Sequence, residues 1–247
     1  MTVLRSLGFN LVFFSYHLLL VFILTLLLVF PRRWSQAATK AWTRGAVVVL
    51  KTMIGLDFEV KGAPPEGPCI IVSKHQSAWD TFVFYLLLDD PNYVLKKELT
   101  RLPIWGWCAL KCGAISVDRS GGGAALKQLV RDVETRMIDG RQVIIFPEGT
   151  RTAPGERRDY QPGVAAVYAR TQSPVVPVAL NSGLFWGRRS FRKKSGTITV
   201  QFLEPMPQGL KRREFMAELE TRMETATDAL IDGANTRFPH LNDDGGA

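Results

Sequence analysis

The stretch "CIIVSKHQSAWDTFVFYLLL", residues 69–88, decides how this chain is read. Four apolar residues, "CIIV", read as a short buried strand, and "TFVFYLLL" reads as an apolar helix. Between them runs "SKHQSAWD", Ser73 to Asp80. Of the chain's three histidines, His75 alone is flanked by small polar residues at the edge of apparent core, and Asp80 follows five positions on. Open α/β sheets display functional groups at strand ends. With a helix starting near Trp79, Asp80 falls in its first turn, where its carboxylate can fold back toward the imidazole. An aspartate there fixes the ring tautomer and supports the imidazolium, leaving the other nitrogen to take a proton. The plainer alternative is a helix cap with a structural histidine beside it.

Outward from this stretch the chain alternates. "DFEV", "YVLKK", "AISV", "QVIIF", "VVPVAL" and "TITVQFL" read as strands. Residues 123–138, "GVAAVYAR" and "REFMAELETRMETATDAL" read as helices, and "LPIWGWCALK" as a short helix or turn. Strands alternating with helices predict an α/β fold with a mostly parallel sheet flanked by helices. The expected organisation is an N-terminal segment over residues 1–54, one globular domain over 55–232, and a disordered tail over 233–247 that ends in "NDDGGA".

The N-terminal segment sets the environment. Residues 9–30, "FNLVFFSYHLLLVFILTLLLVF", carry no formal charge. At ~1.5 Å per residue this run reaches about 33 Å, enough to cross a bilayer core. No small-residue cleavage site follows it, as a signal peptide would require. The run ends at "PRRW", in which Pro31 stops the helix, Arg32 and Arg33 face headgroups and Trp34 suits the interface. Lys40, Arg44 and Lys51 follow, and the excess of cations after the run predicts a globular domain on the cytoplasmic side of the inner membrane. Residues 36–54 read as a second, amphipathic helix, lying on the surface or pairing with the first as a hairpin that dips into one leaflet. His17, inside the apolar run, reads as a neutral imidazole bonded within a helix pair.

The formal net charge is +8 over 247 residues, which asks for an anionic partner. The basic residues cluster beside the apolar run, which favours a lipid surface over nucleic acid. Cys69, Cys108 and Cys112 form no disulfide or metal-ligand pattern and read as buried thiols, so no metal is expected.

Two further segments sit at strand ends. "FPEGTR", residues 146–151, closes the strand "QVII"; Pro147 and Gly149 shape a tight loop. Here Arg151 can present its guanidinium fork to an oxyanion, held in place by Glu148, or the two can form an ordinary surface ion pair. In "GAISVDRSGGG", residues 113–123, Arg119 and a helix N-terminus make a candidate anion site. No Gly-Lys-Ser/Thr ending follows, so this is not a Walker loop. The three segments together offer an imidazole–carboxylate dyad and two arginines, with no serine or cysteine paired to the histidine. That set suits direct proton abstraction from a substrate hydroxyl near an anionic group, at a membrane surface.

These residues resemble the motifs of the glycerolipid acyltransferase family, in particular its bacterial lysophosphatidate (1-acyl-sn-glycerol-3-phosphate) acyltransferases. H-x4-D matches His75 through Asp80. "KKELTRLPIWGWCALKCGAISVDR", residues 96–119, resembles the second motif. F-P-E-G-[ST]-R matches Phe146 through Arg151 in full, and "VVPVAL" resembles the proline-centred fourth. Order and spacing agree over residues 55–205. One departure is Lys74, where many members carry asparagine.

The resemblance implies transfer of an acyl group from acyl-CoA or acyl-acyl-carrier protein to the sn-2 hydroxyl of lysophosphatidate, without a cofactor, at the phospholipid bilayer. His75 would be the general base and Asp80 its partner. Glu148, Gly149, Thr150, Arg151 and Arg119 would bind the glycerol-phosphate end. Lys97, or a backbone N–H near Gly149, would meet the oxyanion or thioester. A different lysolipid acceptor, such as lyso-ornithine lipid, is the nearest rival. A hydrolase is disfavoured by the absence of a G-x-S-x-G elbow, and a non-catalytic lipid-binding module is a third reading.

Overall fold

Side chains alternate between faces along a strand, so a strand buried on both sides must be apolar throughout. Ile70–Val72 and Val143–Ile145 meet that demand in two strands at the middle of the sheet, and the buried polar residues at their ends, Ser73 and Gln142, are hydrogen-bonded. The computed structural model describes residues 2–241. In it β1 (Leu56–Lys61), β2 (Cys69–Ser73), β3 (Pro91–Lys96), β4 (Ile115–Val117), β5 (Gln142–Ile145), β6 (Val175–Leu180) and β7 (Gly196–Phe202) form one sheet in the order β1-β7-β6-β2-β5-β3-β4. The pairings are parallel except β6 with β7. The five strands from β6 to β4 therefore point their C-terminal ends to one edge, as the mostly parallel α/β reading expects.

The two faces bury different sets. Ile70, Val72, Val143, Ile145 and Val175 pack against Leu129 and Val133 of α6 (Gly122–Ile138), Val164 and Val167 of α7 (Gly163–Arg170), and Phe215, Leu219 and Met223 of α8 (Arg212–Arg237). Ile71, Ile144, Val176, Ile198 and Val200 face the other way. They share a core with Phe82, Val83 and Phe84 of α3 (Asp80–Leu87) and with the N-terminal helices. Two short helices, α4 (Lys97–Thr100) and α5 (Trp105–Lys111), link β3 to β4.

The N-terminal segment is an antiparallel hairpin of α1 (Thr2–Leu26) and α2 (Arg32–Val49), the latter ending in a widened turn over Leu50–Ile54. Gly45 lets the Tyr16 ring lie directly against the α2 backbone, and Trp42 donates Nε1–H to the Tyr16 carbonyl at 3.2 Å. The buried side of α2 is not apolar throughout. Thr39 and Thr43 lie there, their hydroxyls satisfied by the carbonyls of Ser35 and Thr39 at 2.9 Å. Phe9, Phe13, Leu20 and Leu24 of α1 are buried in the same core as Trp42, Phe82 and Trp186. The hairpin is thus packed on the sheet domain along its length.

Three expectations need correction. The second helix starts at Arg32, with Pro31 at its N-cap, instead of at residue 36, and this turns Arg32 to protein instead of headgroups. Its guanidinium donates to Asp90 at 2.7 and 2.5 Å and to the Cys112 carbonyl at 3.0 Å. A fork this close to a carboxylate gains more there than in a hydrated interface. His17 packs edge-on against Trp42, and its buried Nδ1 has no hydrogen-bond partner. The expected disorder from residue 233 does not hold for 233–241: α8 continues to Arg237 and Leu241 is buried under it, while 242–247 lie outside the described residues.

Candidate active site

The end of β2 releases the chain into Lys74–Trp79 before α3 begins at Asp80. Asp80 is fully buried, and its position in the first turn lets its carboxylate cap the preceding loop. Oδ2 accepts the backbone N–H groups of Gln76 at 2.7 Å and Ser77 at 2.8 Å and lies 3.0 Å from His75 Nδ1. Oδ1 accepts the Ser182 hydroxyl at 2.6 Å. The cap and the dyad of the two readings are therefore one arrangement. The His75 ring stacks on Phe146, centroids 4.0 Å apart and 15° from parallel. With Nδ1 turned to Asp80, Nε2 makes no hydrogen bond among the described residues.

Phe146 opens the loop after β5, so the stacking joins the first motif to "FPEGTR". Gly149 has φ +68°, and a Cβ there would come within 2.5 Å of the Arg119 guanidinium. Arg119 in turn donates Nη1–H to the Gly149 carbonyl at 2.7 Å. The second motif thus touches the third. Burial lowers the Arg119 guanidinium from its ordinary value, partly offset by Glu98.

Glu148 does not pair with Arg151. Its buried carboxylate accepts the His75 backbone N–H at 3.0 Å, the Thr152 hydroxyl at 2.8 Å and the Lys74 ammonium. Thr152 N–H returns a bond to the His75 carbonyl at 2.8 Å. Burial pushes the Glu148 carboxyl above its usual range, and Lys74 beside it pulls it back. Lys74, itself buried, also donates to Glu224 of α8 at 2.8 Å, and the Tyr160 hydroxyl donates to the same oxygen at 2.7 Å. The Arg151 side chain, half-buried, forms no ion pair or hydrogen bond among the described residues; its carbonyl accepts from Arg188 at 3.3 Å. Thr150 is half-buried beside it. Lys97 donates to Asp118 at 2.8 Å, which together with Ser120 draws the Asp118 carboxyl down to about 2.

The structure therefore brings His75, Asp80, Phe146, Glu148, Gly149 and Arg119 into one contact set at the C-terminal sheet edge, and ties Lys97 to Asp118 beside Arg119. Sequence reading missed Ser182, Thr152 and Glu224 as members. Ser182 carried a faint signal, two residues past "VVPVAL" at a strand end. Glu224, in the middle of α8, carried none. Among the described residues no group of three or more histidine, cysteine, aspartate or glutamate side chains is placed to hold a metal ion.

The site is thus a histidine held by a buried aspartate at the strand ends of a mostly parallel sheet, its second nitrogen without a hydrogen bond among the described residues, in an α/β enzyme fold. Residues 57–181 match the Acyltransferase family, and the chain belongs to that family. It is 35% identical over 204 residues to a 1-acyl-sn-glycerol-3-phosphate acyltransferase of Pseudomonas aeruginosa, across 81% of this chain and 79% of that protein. It is 32% identical over 178 residues to the human 1-acyl-sn-glycerol-3-phosphate acyltransferase beta, across 69% of this chain and 64% of that protein. Its fold is that of the 1-acyl-sn-glycerophosphate acyltransferase of Thermotoga maritima, with a TM-score of 0.76 over 94% of this chain and 98% of that one at 19% identity.

Proposed function

We propose that this acyltransferase moves a fatty acyl group from acyl-CoA or acyl-acyl-carrier protein to the sn-2 hydroxyl of lysophosphatidate, giving phosphatidate. The observation that carries the reading is His75: Nδ1 sits 3.0 Å from a buried aspartate, and Nε2 is unengaged beside the loop that carries Arg151. The substrate named for the relatives supplies the acceptor.

In this reading the acceptor hydroxyl lies against Nε2. A hydroxyl is far too weak an acid to ionise fully before reaction, so its proton passes to Nε2 as its oxygen bonds to the thioester carbonyl carbon. Asp80 stabilises the imidazolium that results. Collapse of the tetrahedral intermediate breaks the carbon–sulfur bond, and the thiolate takes the proton from Nε2. The Gly149 N–H is occupied by the Phe146 carbonyl at 3.0 Å. The N–H groups of Thr150 and Arg151, which follow it, make no backbone bond among the described residues, and we assign the oxyanion to them in preference to Lys97. Arg151 and Arg119 receive the acceptor's phosphate. Glu148 acts from below: it fixes the His75 backbone and the loop rather than touching substrate.

The acceptor carries a long acyl chain and resides in the bilayer, so the site belongs at its surface. Leu4, Leu7, Leu11, Phe14, Leu18 and Phe22 form an exposed stripe along α1 at helical spacing, while the opposite side packs on the sheet domain. A helix covered by its own domain along one side cannot be ringed by lipid. We therefore read α1 as lying in one leaflet with its stripe inward, on the cytoplasmic face.

The test uses purified full chain, lysophosphatidate in vesicles and an acyl thioester, with products identified by mass spectrometry. Phosphatidate from the wild type and none from His75→Ala is expected. Preference for an acceptor without a phosphate monoester would overturn the substrate, and wild-type turnover by His75→Ala would overturn the base.

A further inference from the structure

The connection from Trp186 to β7 reads "GRRSFRKKS", residues 187–195, with five cations in the seven positions from 188 to 194. Arg188, Arg189, Phe191 and Arg192 are exposed. Among the described residues none of the three arginines forms an ion pair. Placing three exposed arginines within five positions without an ion pair among the described residues costs energy through their mutual repulsion, so the arrangement needs a reason.

The loop is also built rather than slack. Lys193 turns inward and is buried; its ammonium donates to the carbonyls of Ser190 at 2.9 Å and Phe191 at 3.0 Å and sits 5.0 Å from the Trp186 ring centre. This staple folds the loop back on itself and leaves its neighbours facing out. Arg189 has φ +58°, a left-handed conformation that costs a residue with a side chain about 1 kcal/mol. Two bonds fasten the loop to α1: Lys193 N–H to the Ser6 hydroxyl at 3.0 Å, and Asn10 Nδ2–H to the Phe191 carbonyl at 3.2 Å. Ser6 is buried, while Asn10 is half-buried and lies three residues from exposed Leu7 and four from exposed Phe14, which places it on the flank of the exposed apolar stripe.

We propose that residues 188–192 are a docking surface for anionic lipid. Arg189 and Arg192 meet lipid phosphates, and Phe191 enters the boundary between headgroups and acyl chains. Continuity with the apolar stripe is what selects a bilayer as the partner; a nucleic-acid groove would have no use for Phe191 or for the stripe beside it. The loop also reaches the site, since Arg188 donates to the Arg151 carbonyl. Docking it on headgroups sets the F-P-E-G-T-R loop at the depth where the acceptor's own phosphate lies. The inference rests on the membrane reading given above.

The experiment measures binding of the full chain to phosphatidylcholine vesicles with and without phosphatidylglycerol, by flotation, at low and high salt. The wild type should bind both, and the phosphatidylglycerol vesicles more tightly at low salt only. R189E/R192E should lose that preference while binding phosphatidylcholine normally. The milder R189N/R192Q, whose asparagine accepts the left-handed backbone, should lose roughly thirtyfold in binding to the anionic vesicles, two surface cations' worth. Turnover in neutral detergent micelles should be unchanged in both, which also shows that they fold. Equal phosphatidylglycerol preference in wild type and either folded variant overturns the proposal, as does a wild type indifferent to lipid charge. A wild type that binds neither kind of vesicle overturns the membrane reading beneath it as well.

Discussion

Asp80 Oδ2 lies 3.0 Å from His75 Nδ1 and also accepts the N–H groups of Gln76 and Ser77, so one oxygen both orients the imidazole and shapes the loop that carries it. Asn at position 80 keeps the shape but can present its amide N–H to Nδ1, which drives the ring proton to Nε2 and blocks it as a base. Asp80→Asn should lower kcat by about 10²–10⁴ with the fold retained. Steady-state turnover beside a thermal melt checks this, and a variant within a few-fold of wild type sinks the dyad mechanism.

Ser182 reaches the other carboxylate oxygen at 2.6 Å from the far side of the sheet edge. A hydrogen bond to a charged group contributes about 1.5–3 kcal/mol. Ser182→Ala should destabilise the chain by that order in denaturant melts and lower kcat less than Asp80→Asn does, with the KM for the thioester unchanged. A silent variant would mean that the backbone N–H groups suffice to hold Asp80.

Lys74 stands buried between two carboxylates, Glu148 and Glu224. Lys74→Met leaves Glu148 without its cation and Glu224 with only Arg157, 3.8 Å away, and should cost about 3–5 kcal/mol, the usual penalty for breaking a buried pair from one side. Adding Glu224→Gln removes one stranded charge, and the double variant should recover part of the loss in a double-mutant cycle. Strictly additive effects would show that the two side chains are not coupled.

The Arg151 side chain has no hydrogen bond or ion pair among the described residues, so its replacement should spare the fold. Lysine keeps the charge and loses the fork that fits two phosphate oxygens. Arg151→Lys should therefore raise the KM for lysophosphatidate, spare that for the thioester and leave the melting temperature in place. Assays with lysophosphatidate and with an acceptor lacking a phosphate monoester separate the cases: an equal loss on both would remove Arg151 from the phosphate site.

Asp90 anchors the hairpin to the sheet. Burial pushes its carboxyl up, but the hydrogen bonds and charge of Arg32, with Arg141 and Asn92, outweigh that and hold it below the ordinary 3.8. The folded chain then releases this proton more readily than the unfolded one. The stabilisation is present above the ordinary carboxylate value and is lost as pH falls through the lowered one. Asp90→Asn should melt below wild type near neutral pH, and the gap should narrow as the pH drops below about 4. A gap constant with pH would deny Asp90 this role.

Much of the fold was legible because it rests on local pattern. Short apolar runs such as "VII" and "CIIV" between helical periods read as buried strands, and most observed elements match the expected ones to within a few residues, although α1 starts earlier, at Thr2, and α8 runs on past Leu230 to Arg237. The α1–α2 boundary was misplaced because "PRRW" looks the same to sequence reasoning whether its arginines meet headgroups or an aspartate fifty-eight positions away in Asp90. Glu148 and Arg151 are three apart with opposite charge, which suggests a pair; the competition for Glu148 came from Lys74, and nothing local announces that.

The sequence by itself determined the alternating α/β order, the apolar N-terminal helix, and the placing of His75, Asp80, Arg119 and the 146–151 loop at strand ends, since these depend on periodicity and on short-range turn chemistry. Only the tertiary structure decided which of those residues meet. Register and strand order bring Ser182 to Asp80, Glu224 to Lys74 and Arg119 to Gly149, contacts set by how seven strands stack and not by the residues next to them in the chain. It likewise decided that one side of α1 is protein-covered, because the burial of Phe9, Phe13, Leu20 and Leu24 needs partners from α2, α3 and Trp186 that only folding assembles.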